Sequence, residues 1–536
     1  MKRINKTGLF ILLLAVTGAM SCHKLTIETP GYLTTDNFPK TNAQLLSVAG
    51  PAYVNFRKEI PVSYWFLQSL STDESILPSH AGNWFDGGQY IQLHFHTWTK
   101  DNNMDNQAWT WITTTVNYCN NILQDILKPA PAQDSVFKAQ VTAEVRGMRT
   151  LSYFIMMDLW GNIPMPTTYG DLALPTTTAR KDVFNFIESE AKAIIPDLSA
   201  STGIDTWGRP NKYAMYALLA KMYLNAQVYI GTDRYNDAVA MCDTIINSRK
   251  YDLEADFMNM FRINNGPAAG GAKEFIFTVP FDNKVETAQF FSRYYMHRSA
   301  EIQKKYSLPT KASGPVSTTA PYYAYFTEAN DQRNKIWLTG VQKYYDGSDI
   351  IIKTTKKGYD ESYNAADAGA AYDFHLNLTP DIRIKDMNTF DAGNDELAWA
   401  QGYRCIKYYP DSTSTTRNQS NDVPFFRYAD VLLMKAEALL RGATPTLGAT
   451  PESLVNTVRT KRGCTAVASV NLDALFAERC REFAWEAWHR NDLIRFGKFE
   501  DKWMFKTDND PRKRIFPIPS VAISLNPKLA QNDGYN

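Results

Sequence analysis

Hydrophobic and polar positions alternate along most of this chain with the period of an α-helix. In FFRYADVLLMKAEALLRG, residues 425–442, the positions Phe426, Ala429, Leu432, Leu433, Ala436, Leu439 and Leu440 recur at helical spacing. Arg427, Lys435 and Glu437 are left for the other faces, and Gly442 acts as a stop. In LFAERCREFAWEAWHRNDLIRFGKF, Leu475, Phe476, Phe483, Ala484 and Ala487 repeat the pattern, predicting a second helix. Glu478, Glu482 and Glu486 fall one turn apart beside Arg479 and Arg481, as on a solvated, ion-paired face. Upstream, the same periodicity predicts helices over 42–57, with a break or kink at Pro51, and over 108–127, 141–159, 183–198, 212–229 and 235–250. In the last two, Ala214, Ala217, Ala220 and Ala238 allow close approach while Tyr223 and Ile245 fill the groove, as in a tetratricopeptide-type helix hairpin. From 253 to 419 the helical period fades into Gly, Pro, Asn and Thr clusters with short strand-like runs, the clearest being EFIFTVPF at 274–281.

The expected architecture is therefore mainly α: helix hairpins interrupted by a loop-rich insertion with few short strands. No Pro- or Ser-rich linker divides the chain, so 41–536 reads as one domain. Within it lie a helical N-terminal part (41–252), the insertion (253–420) and a helical C-terminal part (421–536), all preceded by a tether over 22–40.

Several segments of the C-terminal part, taken in order, resemble the SusD/RagB family of Bacteroidetes outer-membrane glycan-binding lipoproteins. They are RYADVLLMKAE (427–437), VRTKRG (458–463), the run around Glu478, Glu486, Arg490 and Asp492, and the closing PIP, NP and QNDGY. The resemblance implies a SusD-like fold with tetratricopeptide-like hairpins. It also implies a non-catalytic role in which glycan is captured over a SusC-like TonB-dependent transporter and passed inward.

Composition is consistent with a soluble globular chain: of 536 residues, 44% are hydrophobic and 21% charged, at a formal net charge of +1. Nothing in it points to nucleic acid. The N-terminus carries a basic Lys2, Arg3 and Lys6, an apolar run over 8–19 too short to span a bilayer, and Ala19-Met20-Ser21 before Cys22. This is the pattern of a lipoprotein signal peptide over 1–21, with Cys22 as the acylated residue, and the resemblance implies the outer membrane as destination; plain cleavage near Ala19 or Ser21 is the alternative. Ala19 stands where Leu is frequent. The residues after Cys22, HKLTIE, hold no clear acidic export tag, so an outward-facing position follows from the resemblance alone. Cys119, Cys242, Cys405, Cys464 and Cys480 form no C-x-x-C and read as buried small hydrophobes.

Catalytic and metal signatures are weak throughout, and no cofactor is expected. H-E-x-x-H and G-x-S-x-G are absent, and GPAAGGAK (266–273) has the wrong spacing for a phosphate loop and reads as a flexible one. Asp101, Asn103 and Asp105 imitate the start of a calcium loop, but Asn106 and Ile112 occupy positions that need Gly and Glu. His94 and His96 would share one side of an extended 93–98 segment without a third ligand, and read as packed histidines. The carboxylate pairs Asp73–Glu74 and Glu482–Glu486 are the only nominees for glycosidase chemistry.

A recognition surface remains, and the densest candidate is 73–111, which holds Trp84, Trp98, Trp109 and Trp111 among Gly, Asn and Asp. Aromatic faces stack on sugar C–H faces while polar neighbours bind hydroxyls. By the resemblance, Trp98 with Asn102 and Asn103 would form one side of an aromatic arc, His80 would stand where an Arg is expected, and Tyr294, Tyr295 and Trp337 would complete it. Trp84 and Asp73 are further candidates, and Trp109 and Trp111 begin a helix and read as core. For each aromatic the alternative is burial. The resulting expectation is a lipid-anchored glycan-binding protein. A surface glycoside hydrolase and a lid for non-glycan cargo such as peptides are the competing readings.

Overall fold

The computed structural model describes residues 38–130, 134–267, 273–355 and 371–535. The leader, Cys22, nearly all of the tether and most of the 266–273 loop lie outside the described residues.

The longer helices are α1 (Gly50–Lys58), α2 (Asn103–Asn121), α3 (Ser135–Trp160), α4 (Arg180–Ile194), α5 (Lys212–Leu224), α6 (Tyr235–Ser248), α7 (Tyr428–Leu440), α8 (Pro451–Lys461) and α9 (Leu472–Phe483). Side-chain caps set several of their starts: Asn102 accepts from the Met104 and Asp105 amides, Asn211 from Ala214, and Thr450 forms a reciprocal capping box with Ser453. The break expected at Pro51 is present. One helix, Asn42–Ser47, ends before α1, and Pro51 sits in the first turn of α1, where its missing N–H costs nothing.

The helices stack in sequence: α2 on α1 and α3, α3 on α4, α5 on α6, α6 on α7, and α7 on α8 and α9. α3 is buried on nearly every face over its last three turns because neighbours cover both sides. Its Gly147 lets Pro210 come so close that an added Cβ would lie 3.0 Å from the proline ring. The strand β1 (Phe275–Val279) pairs antiparallel with β2 (Val423–Arg427), joining the start of the insertion to the C-terminal helices. The remaining described strands form two-stranded pairs of two to four residues.

Three local expectations are corrected. Phe426 belongs to β2 rather than to the helix, and Arg427, Lys435 and Glu437 are buried. Lys435 meets Asp243 at 2.6 Å and Glu437 meets Arg495 at 2.7 Å. The second predicted helix stops at Phe483, because Trp485 and Ala487 adopt positive φ (63° and 62°), and the chain resumes as a short helix at His489–Arg495. The glutamates taken for a solvated face are instead sealed inside. Glu482 receives Arg333, Arg427 and Arg462, Glu478 receives Arg333, Arg459 and Arg481, and Glu486 receives Lys407 and Arg427. The arginines arrive from distant segments, so a local pattern shows only half of each pair.

The 93–98 segment is not extended. Gln89–Phe95 is a helix, His94 is buried, and His96 takes a left-handed φ of 57° with Nε2 2.9 Å from the Ser71 carbonyl. Burial lowers the pKa of His94 to about 3, which keeps it neutral. The calcium-like stretch is simply the capped start of α2, with Asp105 accepting from the Trp160 indole at 2.8 Å. Cys119, Cys242, Cys405, Cys464 and Cys480 are free and buried.

Candidate functional site

The segment leading to Trp84 is pinned by buried carboxylates. Glu74 accepts from the Trp485 amide at 2.6 Å, from the Ser69 hydroxyl and from the Tyr322 hydroxyl. Its burial raises its pKa against the pull of these partners and of His489. Asp73, a candidate glycan contact, faces inward to His489 Nε2 at 2.6 Å. Burial opposes the His489 charge, but Asp73 outweighs it and raises the imidazole well above its usual range. Both members of this carboxylate pair are therefore engaged in internal contacts.

Beyond them, residues 79–88 form a tight loop clamped against 389–393. The Ser79 amide donates to the Phe390 carbonyl, the Ser79 carbonyl accepts from the Ala392 amide, and the Gly82 amide donates to Asp391 at 3.1 Å. Burial disfavours the Asp391 charge, but the amides of Ala81, Gly393 and Gly82 outweigh it and lower its pKa. His80 closes the loop through two backbone bonds with Asn83. Its ring stacks on Trp399 at 3.7 Å, and burial brings its pKa down to about 3. A neutral, covered imidazole offers nothing that an arginine would offer a sugar.

The loop carries three non-glycine residues at positive φ: Ala81 (50°), Trp84 (65°) and Asp86 (43°). Such conformations cost of order 1–3 kcal/mol each and persist only where the surroundings hold them. The effect is to leave Trp84 half-buried, edge-to-face with Tyr294 at 5.8 Å and tilted toward Tyr90 at 6.2 Å.

The other candidate aromatics are interior. Trp98 is 1% exposed: its indole donates to the Tyr535 hydroxyl at 2.8 Å, and its ring packs on Phe516 and His96. Tyr295, also 1% exposed, stacks on Phe291 and meets Trp485 edge-on at 4.2 Å. Trp337 lies between Phe326 and Tyr323, against Trp485. Asn102 is spent on the α2 cap and on Gln92, whereas Asn103 is exposed in the first turn of α2. Trp109 and Trp111 are core, as read. Tyr294 is 8% exposed beneath Trp84, and Trp84, a further candidate outside the expected arc, keeps part of its ring at the surface. Trp98, Tyr295 and Trp337 are corrected to structural positions, because each ring is already covered on its faces by other aromatics.

A second aromatic group went unnoticed in the sequence. Tyr345, 73% exposed, shares a hydroxyl contact of 3.1 Å with Tyr409, and both approach Tyr306 at about 6 Å. The signal was the Tyr-Tyr pair directly before Asp346-Gly347, a turn that throws its flanking side chains outward. Between the two groups along the chain lies an open, shallow recess of about 20 Å³, lined by Arg293, Leu308, Lys311, Asp411, Arg417 and Asn418 among others. Among the described residues no cluster of His, Cys, Asp and Glu is arranged to hold a metal ion.

Two family models match this chain: "SusD family" over residues 273–535 and "Starch-binding associating with outer membrane" over 60–224. Among curated proteins, "Starch-binding protein SusD" of Bacteroides thetaiotaomicron is 24% identical over 87% of this chain and 84% of its own length. "SusD-like protein P38" of Formosa agariphila is 21% identical over the full length of both. Among solved structures, a SusD superfamily protein from Parabacteroides distasonis superposes with a TM-score of 0.70 at 20% identity, over 94% of this chain and 100% of that one. Surface glycan-binding protein A from Bacteroides thetaiotaomicron, in complex with laminarihexaose, superposes at 0.67 and 19% identity, over 91% and 99%.

Proposed function

We propose, from the premise that this chain belongs to the SusD/RagB family, that it is a non-catalytic outer-membrane lipoprotein, anchored through Cys22, that binds glycan and hands it to a SusC-like TonB-dependent transporter. The observation that carries the reading is Trp84, half-exposed against Tyr294 on a loop held in left-handed backbone by Asp391. A strained tryptophan left half-exposed forgoes part of the packing that full burial would give, whereas a flat C–H face of a sugar ring finds a platform there. Relatives named for starch and for laminarin agree in ligand class. The hydrolase alternative finds no support in the carboxylate pairs, since Glu482 and Glu486 are neutralised by buried arginines and Asp73 and Glu74 are engaged internally.

Glycan-array binding by residues 23–536 tests this. Trp84→Ala is expected to weaken the strongest signal at least about tenfold, the worth of a stacked ring, and Tyr294→Ala to weaken it by removing the buried ring that Trp84 packs against. Unchanged binding in both variants would move the site elsewhere, and reducing ends released on prolonged incubation would return the protein to the hydrolases.

A further inference from the structure

We infer that the recess beside Tyr294 is an anion subsite, and that the glycan bound here carries a carboxylate or sulfate group on the sugar unit that enters it. This rests on the glycan reading above and specifies its ligand. Three cationic side chains line the recess: Arg293, half-buried, and Lys311 and Arg417, both exposed. Among the described residues none of the three has a carboxylate within ion-pair distance. Elsewhere in this protein arginines are matched closely, as Arg333, Arg427 and Arg462 are to Glu274, Glu478 and Glu482.

Asp411, the one acid in the recess, does not neutralise them. Its carboxylate accepts from Thr413, from Asn283 at 2.9 Å and from Ser420 at 2.8 Å. Arg293 is held by a bond from Nε to the Ser313 hydroxyl at 3.2 Å and lies 5.5 Å from the centre of the Tyr294 ring. Its two terminal nitrogens point to no protein acceptor among the described residues. The Tyr294 phenol is raised chiefly by burial, with Arg293 and Arg417 drawing it down and Glu59 raising it.

Size and position set the class of ligand. The recess is shallow, about 20 Å³, so a sugar unit enters it by its charged substituent rather than whole. Arg293 lies against Tyr294, and Tyr294 against the half-exposed Trp84, so Trp84 offers the neighbouring sugar a ring while the substituent meets the cations. Guanidinium forks bind planar or tetrahedral oxyanions through paired N–H donors.

Calorimetric titration of residues 23–536 tests the assignment, using hexamers of galacturonate and of alginate beside their carboxyl-reduced forms, which keep chain and linkage but lose the charge. Carrageenan oligomers and their desulfated forms make the sulfate arm, and laminarihexaose and maltohexaose are the neutral controls. At least one charged oligomer is expected to bind about tenfold or more tightly than its uncharged counterpart. Arg417→Ala and Lys311→Ala, both at exposed positions, should erase that difference, and Arg417→Lys should restore part of it. Which arm responds decides between carboxylate and sulfate. Equal affinity for charged and uncharged forms, or no effect of either alanine variant, overturns the anion subsite while leaving glycan binding intact. Binding to none of these sugars, together with salt-sensitive retention of an acidic protein through the same residues, overturns both readings.

Discussion

Two tryptophans fourteen positions apart illustrate how the same residue type is given opposite work. Trp98 is enclosed and hydrogen-bonded to Tyr535, near the end of the chain, so it helps fix the C-terminal segment. Trp98→Ala would open a cavity among Phe516, His96 and Lys513 and is expected to cost about 3–5 kcal/mol. Trp98→Phe keeps most of the packing and loses the indole bond, an expected cost of about 1 kcal/mol. Trp84→Gly should do the reverse. It relieves the positive φ and removes a half-exposed ring, so the urea midpoint should move far less than in Trp98→Ala while glycan binding is lost. A larger loss of stability in Trp84→Gly than in Trp98→Ala would contradict this division. Residue type and loop-like composition marked both tryptophans as candidates. What separates them is whether partners arrive from residues 499–535, which no reading of 73–111 alone contains.

At the scale of elements, α9 shows what a helical pattern conveys and what it omits. The one-turn spacing of Glu478 and Glu482 is plain in the sequence, as is the helix that carries them. Their partners are not: Arg333 sits 145 residues before Glu478, in the middle of the insertion, while Arg427 ends β2 and Arg462 follows α8. This network ties three separately folded elements to α9, and its charges balance only when all are present. Glu482→Gln would leave Arg333, Arg427 and Arg462 short of a buried counter-charge, so a loss of about 3–5 kcal/mol is expected in urea denaturation. Acid probes the same network. Burial opposes the charge on Glu478, yet Arg333 and Arg481 outweigh it and bring its pKa down to about 2. Its unfolded value is about 4.3, so the folded state binds this proton more weakly. The stabilisation is complete above about pH 4.3 and is lost as pH falls toward 2. The urea midpoint should therefore drop steeply below about pH 4.3, and Glu478→Gln, less stable at neutral pH, should show a shallower drop.

Over the whole molecule, the features readable from sequence were those that repeat or that lie close together: the helix periods, the tetratricopeptide-like pairing of α5 with α6, and the ordered C-terminal segments. The proposed binding face is different in kind, since Trp84 comes from the N-terminal part and Tyr294 from the insertion, where Tyr345 and Tyr409 also come together across a gap of sixty-odd positions without any period to announce it. One proposition at this scale concerns cooperativity, namely that 41–536 folds as a single unit. Its thiols are well placed to test it, because Cys119 lies in α2, Cys242 in α6, Cys405 in a short strand of the insertion, Cys464 after α8 and Cys480 in α9. All five are buried and free. Burial pushes Cys119, Cys405 and Cys464 up to about 12 and Cys480 up to about 11, so almost no thiolate exists at neutral pH. In residues 23–536 the native protein should resist an aromatic disulfide reagent, and a reductant should leave the thermal midpoint unchanged. In rising urea, mass-spectrometric mapping of labelled peptides should show all five thiols exposed over one transition. Earlier labelling of Cys119 and Cys242 than of Cys464 and Cys480 would mean that the N-terminal helices open by themselves. The ionic network around α9 would then stabilise only the C-terminal part, rather than the whole stack through the contacts of α6 with α7.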